Sequence, residues 1–242
     1  MHLKAVVFDW AGTTVDYGSR APMGAFVEVF KGFQVKLSID EARKPMGLPK
    51  WDHIKALLSD QDIARRWQKA HGAMPTDREV GRIYEVFVPL NRKVVTNYAE
   101  LIPGVAETVK DLRGLGLKIG STTGYTRDIM EPLLPVAAKA GYAPDNLVCA
   151  GDLAAGRPTP LMMWKCFLDL AIPSAAGVIK VDDTAPGIAE GLAAGCWTVG
   201  LTVSGNAMGL SEEDVGKLSK KEFAARKAKA ERELLACGSH YV

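Results

Sequence analysis

Residues 5–16 read AVVFDWAGTTVD, a short apolar and β-branched run that ends at an acid. This run predicts a buried strand at Ala5–Phe8, with Asp9 at its carboxyl end. Four later runs share this character, and helical stretches separate them: Leu117–Ser121, Asn146–Ala150, Gly177–Val181 and Trp197–Leu201. Short buried strands that alternate with helices are typical of a doubly wound parallel α/β sheet.

The intervening stretches predict helices at Val105–Leu115, Arg127–Ala140, Pro160–Leu170 and Ile188–Ala194. Residues 217–235 are rich in Lys, Arg and Glu, and they predict a solvated terminal helix. A helix that binds nucleic acid or a partner is the less favoured interpretation of that segment.

One segment interrupts the alternation, because no strand pattern occurs between Asp16 and Pro103. It predicts five helices: Pro22–Phe30, Ile39–Lys44, Lys50–Leu58, Asp60–Ala70 and Thr76–Ala99. A helical block of this length is too long for a simple crossover. We therefore predict a core domain of residues 1–18 and 100–242, and a helical cap domain of residues 19–99 inserted after the first strand.

Composition describes an ordinary globular protein and gives little information on function. The 242 residues carry a formal net charge of +2 and are 48% hydrophobic, which gives no case for nucleic acid or an anionic membrane as partner. The four cysteines have neither zinc-ligand spacing nor a disulfide framework, so we expect neutral thiols in a reducing compartment. Without a signal-peptide pattern or a long apolar run, we expect a cytoplasmic location.

Polar residues follow four of the predicted strands. Asp9 follows the first strand, Thr123 and Gly124 follow the second, Arg157 comes after the third, and an acidic pair follows the fourth: Asp182 and Asp183. Carboxyl ends of parallel strands meet at one crevice, so these groups are expected to converge there. Clustered carboxylates without Cys or His favour Mg²⁺, whereas a hydroxyl, loop N–H groups and an Arg suit a phosphoryl group.

The motifs Asp9-x-x-Gly12-Thr13, Thr123, Arg157 and Asp182-Asp183 resemble the four motifs of the haloacid dehalogenase superfamily. The helical insert is similar to that superfamily's first type of cap. The resemblance implies that Asp9 is the nucleophile and that Mg²⁺ is held by Asp9, the Ala11 carbonyl and Asp183, with Asp182 as a further candidate ligand. It also implies phosphoryl contacts from Gly12, Thr13, Thr123, Gly124 and Arg157.

The chain departs from this superfamily's phosphatases at Ala11, where they carry the acid that protonates a leaving alkoxide. A different leaving group would remove the need for that acid. Lys50 begins a predicted helix, where the helix dipole and burial lower the pKa of its amine. A neutral amine forms a Schiff base with an aldehyde, and His53, on the same helical face, could move protons for it.

A protonated imine next to a C–P bond is an electron sink, so that bond breaks without an acid at position 11. Five segments of the chain are similar to the phosphonatase family: VFDWAGTTVDYGSRAP, EARKPMGLPKWDHI, IGSTTGYTR, AGRPTP and AAGCWTVG. This resemblance implies hydrolysis of phosphonoacetaldehyde, with Lys50 as the Schiff-base lysine. It places Met46, Gly47 and His53 on the cap side of the site, and it implies a homodimer that associates through the cap.

Two departures bear on these expectations. Gly187 stands where the superfamily often places another acid, and the Asp182-Asp183 pair could compensate for it. Ser19 stands where some relatives carry a cysteine. Two alternative functions stay open: a Mg²⁺-dependent small-molecule phosphatase, which Ala11 disfavours, and a non-catalytic phosphate- or partner-binding module, which Asp9 disfavours.

Overall fold

A computed structural model describes residues 3–242 and contains one parallel five-stranded sheet. Its strands are β1 (Ala5–Phe8), β2 (Lys118–Thr123), β3 (Val148–Cys149), β4 (Val178–Asp182) and β5 (Trp197–Gly200), in the order β3-β2-β1-β4-β5. Strand β1 is central, and its last residue, Phe8, lies beside Ser121 of β2 and Val181 of β4. The predicted doubly wound parallel sheet is confirmed.

Within residues 3–242, seven α-helices accompany the sheet: α6 (Val105–Gly114), α7 (Arg127–Met130), α8 (Leu134–Lys139), α9 (Leu161–Asp169), α10 (Ala185–Ala193), α11 (Glu212–Gly216) and α12 (Lys220–Ala236). The prediction of one helix over Arg127–Ala140 is wrong, since the chain breaks between α7 and α8. Pro132 and Pro135 explain the break, because proline lacks the N–H that a helix interior needs. Strand β3 has two residues rather than the five predicted.

Within the described residues 9–104, the segment after β1 forms a series of helices joined by loops and contains no strand, as predicted. It contains α1 (Ala21–Gly32), α2 (Ile39–Arg43), α3 (Lys50–Ser59), α4 (Gln61–His71) and α5 (Asp77–Val94), followed by a 3₁₀ turn at Val95–Tyr98. These helices, hereafter the helical insert, pack around their own apolar cluster, which includes Phe26, Phe30, Trp67, Ile83 and Phe87. The boundaries predicted for the two domains remain a prediction.

The two faces of the sheet carry separate apolar clusters. One contains Phe8, Trp10 and Tyr142, and the other contains Val7 and Met163. The cysteine thiols are all free; Cys149, Cys166 and Cys196 are buried, and Cys237 is partly buried. Burial raises the pKa of each buried thiol, to about 12, 11 and 12 respectively, so these thiols are neutral as expected. Within residues 3–242, no helix has the length and apolarity needed to span a membrane.

Candidate active site

A small cavity lies between the carboxyl ends of the central strands and the helical insert. Its volume is about 20 Å³, and it is lined by residues of both parts: Asp9, Ala11, Ser19, Met46, Gly47, Lys50, Thr123, Gly124, Tyr125, Arg157 and Thr184. A volume of this size holds roughly one water molecule. The cavity is therefore nearly filled, and this arrangement of the insert against the core is called closed below.

Asp9 occupies the position expected for a nucleophile, at the end of β1. Its backbone N–H donates to Val181 O at 3.0 Å, which joins it to the end of β4. Its carboxylate lies 2.7 Å from Nη2 of Arg157. Burial, followed by the nearby charge of Asp182, raises the pKa of Asp9 to about 6, although Arg157 and Lys180 oppose this shift.

Three buried carboxylates meet at this edge of the sheet. Asp9, Asp182 and Asp183 each offer an oxygen, and these oxygens lie within 4.8 Å of one another. Burial and the charges of the other two raise the pKa of Asp183 well above its ordinary value. Such an all-oxygen set is unfavourable without a cation between the carboxylates, and its chemistry suits a hard divalent metal ion.

Asp182 differs from the other two carboxylates because cations surround it. Burial alone would raise its pKa, but Arg157 at 3.3 Å and Lys180 at 3.2 Å outweigh burial and lower it. Both cations also contact the buried carboxylate of Glu190, at 3.1 and 3.2 Å. Arg157 thus contacts three carboxylates and also donates to Thr122, and these contacts fix the direction in which Nη2 faces Asp9.

Gly187 and Asp182 share one space in the site. A Cβ atom built on Gly187 would lie 1.9 Å from Oδ2 of Asp182. The carboxylate of Asp182 therefore fills the volume that a side chain at position 187 would need. Thr184 fixes that carboxylate, since its backbone N–H and hydroxyl donate to Oδ1 at 3.0 and 2.7 Å.

Gly12 and Thr13 lie against Asp183 and do not line the cavity. Gly12 has φ +86°, and a Cβ atom there would lie 2.2 Å from Oδ2 of Asp183. The Thr13 hydroxyl donates to Oδ1 of the same carboxylate at 3.3 Å. Phosphate binding by these two residues remains a prediction, and their contacts in the closed arrangement support Asp183 instead.

Lys50 reaches the cavity from the insert, as the first residue of α3. Its side chain is buried, and Nζ lies 3.9 Å from Sδ of Met46 and 5.0 Å from the centre of the Tyr125 ring. Among the described residues, no carboxylate lies within ion-pair distance of this amine. Burial lowers the pKa of Lys50 to about 8, despite the opposing effect of Asp9.

His53 lies one turn further along α3 and outside the cavity lining. One ring nitrogen, Nε2, donates to Ala42 O at 2.8 Å, and the ring stacks on Phe26 with 4.1 Å between centroids. The other nitrogen, Nδ1, is buried and has no hydrogen-bond partner in the part of the chain that the structure describes. Burial and the charge of Lys50 hold the pKa of His53 well below its ordinary range, so the imidazole is neutral.

Glycines form the seam between the insert and the core. A Cβ atom on Gly47 would lie 2.3 Å from Oγ1 of Thr184, one on Gly124 would lie 2.9 Å from Leu48 O, and one on Gly156 would lie 2.7 Å from Pro49. The backbone around residues 47–49 can press onto the core because no side chain intervenes. This close approach brings Lys50 and Asp9 to one cavity.

Sequence reasoning missed three parts of the site. Tyr125 and Thr184 line the cavity, and they directly follow residues that were singled out. Their positions after strand ends were an available signal. Lys180 and Glu190 form the third part; Lys180 lies inside an apolar strand, and only the structure shows that Glu190 of α10 is its partner.

A family model for haloacid dehalogenase-like hydrolases matches residues 3–195. The chain belongs to this family. A phosphonoacetaldehyde hydrolase of Paraburkholderia xenovorans is 52% identical, with 100% of this chain and 90% of the relative covered. Another, from Aeromonas hydrophila, is 48% identical, with coverage of 99% and 87%.

The solved structures agree with this membership. A phosphonoacetaldehyde hydrolase-like protein from Oleispira antarctica matches with a TM-score of 0.98 and 42% identity, over 100% of this chain and 88% of the other. A β-phosphoglucomutase from Clostridium difficile matches with a TM-score of 0.67 and 15% identity, over 94% and 98%, which shows a shared fold alone. Members of this hydrolase family typically use a metal ion, and the buried aspartates fit one.

Proposed function

We propose that this chain hydrolyses the C–P bond of phosphonoacetaldehyde to acetaldehyde and phosphate. The observation that carries the proposal is the pairing of Lys50 with Asp9 across one cavity, with Ala11 in place of a second acid. An amine and a carboxylate suit the two ends of such a substrate, the aldehyde and the phosphoryl group. Relatives named phosphonoacetaldehyde hydrolase, which are 52% and 50% identical to this chain over its whole length, support the assignment.

The first step is imine formation on Lys50. The neutral amine adds to the aldehyde carbon, and the carbonyl oxygen leaves as water with one proton from the amine and one from solvent. The second amine proton stays on nitrogen, which gives the protonated imine. A pKa of about 8 supports this role, because an appreciable fraction of the amine is then neutral near pH 7. His53 Nδ1, which lacks a partner, would accept a proton from the attacking amine and return it to the departing hydroxyl.

The second step transfers the phosphoryl group to Asp9. An oxygen of Asp9 attacks phosphorus, and the electron pair of the P–C bond moves into the protonated imine to give an enamine. No proton has to reach the leaving carbon in this step, which is compatible with Ala11. Arg157, 2.7 Å from Asp9, is placed to donate to the phosphoryl oxygens while they carry developing charge.

Two hydrolyses complete the turnover. One water attacks the phosphorus of the acyl phosphate, which releases phosphate and restores the Asp9 carboxylate. The enamine takes a proton at carbon, and a second water hydrolyses the resulting imine to acetaldehyde and the free Lys50 amine. One water is released and two are consumed, so the net reaction uses one water.

We propose Mg²⁺ as the metal ion, held by Asp9, the Ala11 carbonyl and Asp183, with Asp182 beside them. Bound there, it would offset the charge of the carboxylates and of the phosphoryl group. We further propose a homodimer that associates through the helical insert. Half-exposed Val86 and Met74 on the insert support this contact, and light scattering on the purified protein would measure the mass directly.

The test measures acetaldehyde release from phosphonoacetaldehyde with Mg²⁺, coupled to NADH oxidation, and uses a metal-free control. Borohydride reduction during turnover should attach the two-carbon fragment to Lys50, which peptide mass spectrometry would locate. Lys44→Arg is the matched control for Lys50→Arg, because Lys44 is an exposed lysine of the same insert. Efficient hydrolysis of phosphate esters without acetaldehyde release would contradict the proposal and favour a phosphatase.

A further inference from the structure

Arg43, at the end of α2, connects the helical insert to the core. Its Nη1 donates to Gly18 O at 2.8 Å, to Ser19 O at 3.2 Å and to Oδ1 of Asn206 at 3.1 Å. Its Nη2 donates to Gly209 O at 3.0 Å. The guanidinium thus contacts both the entry to the insert and a loop of the core that follows β5.

The same loop holds the carboxylate of Asp183. The backbone N–H of Asn206 donates to Oδ2 of Asp183 at 2.7 Å, while its side-chain amide exchanges hydrogen bonds with Arg43, including Nδ2 to Arg43 O at 3.3 Å. Two glycines allow the close packing. A Cβ atom on Gly205 would lie 2.4 Å from Cβ of Asp183, and one on Gly209 would lie 3.0 Å from the guanidinium.

We propose that Arg43, acting through Asn206, is a positioning residue for Asp183 and couples closure of the insert to the geometry of the metal site. This inference rests on the proposed function, in which Asp183 is a ligand of Mg²⁺. It assigns to the insert a second role besides supplying Lys50, which is to complete the carboxylate arrangement on the core.

The physical argument is one of linkage. Residues 201–211 form neither helix nor strand, so the position of the Asn206 N–H depends on a few loop contacts. These are backbone hydrogen bonds, such as Gly209 N–H to Gly205 O at 3.0 Å, together with the contacts that Arg43 makes to Asn206 and Gly209. Opening of the insert would move Arg43 away from Asn206 and Gly209 and release this loop. Any factor by which closure favours the metal ion is, by thermodynamic necessity, the factor by which the metal ion favours closure.

The test measures the Mg²⁺ dissociation constant by titration calorimetry without substrate. Arg43→Met should weaken Mg²⁺ binding by about fivefold or more, the lower end of typical coupling between sites. Arg92→Met is the matched control, because Arg92 of α5 pairs with Glu131 of the core at 2.9 Å, away from Asp183. That control removes an insert–core contact and should leave the Mg²⁺ affinity unchanged.

A double-mutant cycle identifies the route. Asn206→Ala keeps the backbone N–H but removes the amide that Arg43 contacts, so it should also weaken Mg²⁺ binding. If Arg43 acts through Asn206, the double variant should bind Mg²⁺ no more weakly than Arg43→Met alone. Arg43→Lys keeps the charge with fewer donors and should fall between the wild type and Arg43→Met, which provides a measurement should the methionine variant fail to fold.

Scattering with and without Mg²⁺ gives the reciprocal measurement. Mg²⁺ should shift the wild type towards the compact form, and this shift should shrink in Arg43→Met but not in Arg92→Met. Unchanged Mg²⁺ affinity in the Arg43 variants, or equal weakening in Arg92→Met, would overturn the inference while leaving the proposed function intact. A wild type that binds no Mg²⁺ would overturn both the inference and the proposed metal site.

Discussion

The core side and the insert side of the cavity treat buried charge in opposite ways. On the core, Asp9 and Asp182 each have cationic partners within 3.3 Å. Arg157 pairs with both carboxylates, and Lys180 pairs with Asp182. On the insert, Lys50 has a thioether and aromatic rings as neighbours. The core thus pairs the charges of Asp9 and Asp182 with cations, whereas burial in the insert lowers the pKa of an amine that has no carboxylate partner.

This difference corresponds to the two ends of the proposed substrate. A phosphoryl group carries negative charge throughout the reaction, so its site needs fixed cations. An aldehyde is neutral and needs an amine with a free lone pair. A neighbouring carboxylate would raise the pKa of that amine and so favour its protonated form. The division of labour therefore follows from the charge that each half of the substrate carries.

The largest expected effects come from crossed variants that disable one side at a time. Asp9→Asn should lower turnover by about 10⁴-fold or more, the scale on which loss of one member of a catalytic set lowers kcat elsewhere, but should still trap the aldehyde on Lys50 under borohydride. Lys50→Arg should lower turnover comparably and lose trapping, while inorganic phosphate binding, measured by calorimetry, should stay within about twofold of wild type.

A single substitution that removes both the reaction at Asp9 and the borohydride trapping on Lys50 would contradict this separation of the two sides. If Asp9→Asn cannot be trapped although it is folded, the two sides do not act separately. Circular dichroism on each variant provides the control for folding.

The next effect concerns the space shared by Gly187 and Asp182. Gly187→Ala should displace the Asp182 carboxylate, because a methyl group would lie 1.9 Å from Oδ2. We expect kcat/KM to fall by about 10²-fold, since a small misplacement in a catalytic site costs that much. The measurement is steady-state kinetics on the acetaldehyde assay.

Gly81→Ala is the control for that substitution. Gly81 lies in α5 with no atom near its added methyl group, so the change should leave kcat/KM unaltered. Unchanged activity in Gly187→Ala as well would show that the position of Asp182 does not matter.

The sequence predicts a site residue well when its position follows from its neighbours along the chain, and poorly when it depends on contacts with distant residues. Asp9 and Arg157 were predicted because they follow strand ends, and parallel strands end at one edge. The acidic pair Asp182-Asp183 predicts compensation for the acid that is missing at Gly187. Only the structure shows that the Asp182 carboxylate fills the volume of the missing side chain.

Other features had no local signal in the sequence. The link from Arg43 to Asp183 joins residues that are 140 positions apart, through a loop without regular structure. The break between α7 and α8 did have a signal in Pro132 and Pro135, and the prediction failed by giving these prolines too little weight.

A smaller effect is expected when the insert side is given the chemistry of the core side. Met46→Glu should place a carboxylate near Nζ of Lys50, where Sδ now lies at 3.9 Å. An opposite charge at this range raises the pKa of an amine by about 1–3 units, so turnover at pH 7 should fall by about tenfold or more. Met46→Gln is the neutral control and should keep the pH profile of the wild type.

The pH profile of Met46→Glu decides the outcome. Its ascending limb should move to higher pH, with the plateau rate recovered in alkaline solution. A lower rate at every pH, without movement of the limb, would mean that the substitution acts through packing and not through the charge on Lys50.

The smallest effect is the pH dependence of the wild type. Burial lowers the pKa of Lys50 to about 8, so the charged form is disfavoured and the neutral amine gains as pH rises. The neutral fraction is about one tenth at pH 7 and about nine tenths at pH 9. In the acetaldehyde assay, kcat/KM should therefore rise about tenfold between these values and level off above pH 9, whereas an ordinary lysine would keep the rate rising. A value of kcat/KM that stays constant from pH 7 to 9 would contradict a role for the neutral amine, because the rate would then not depend on the protonation state of Lys50.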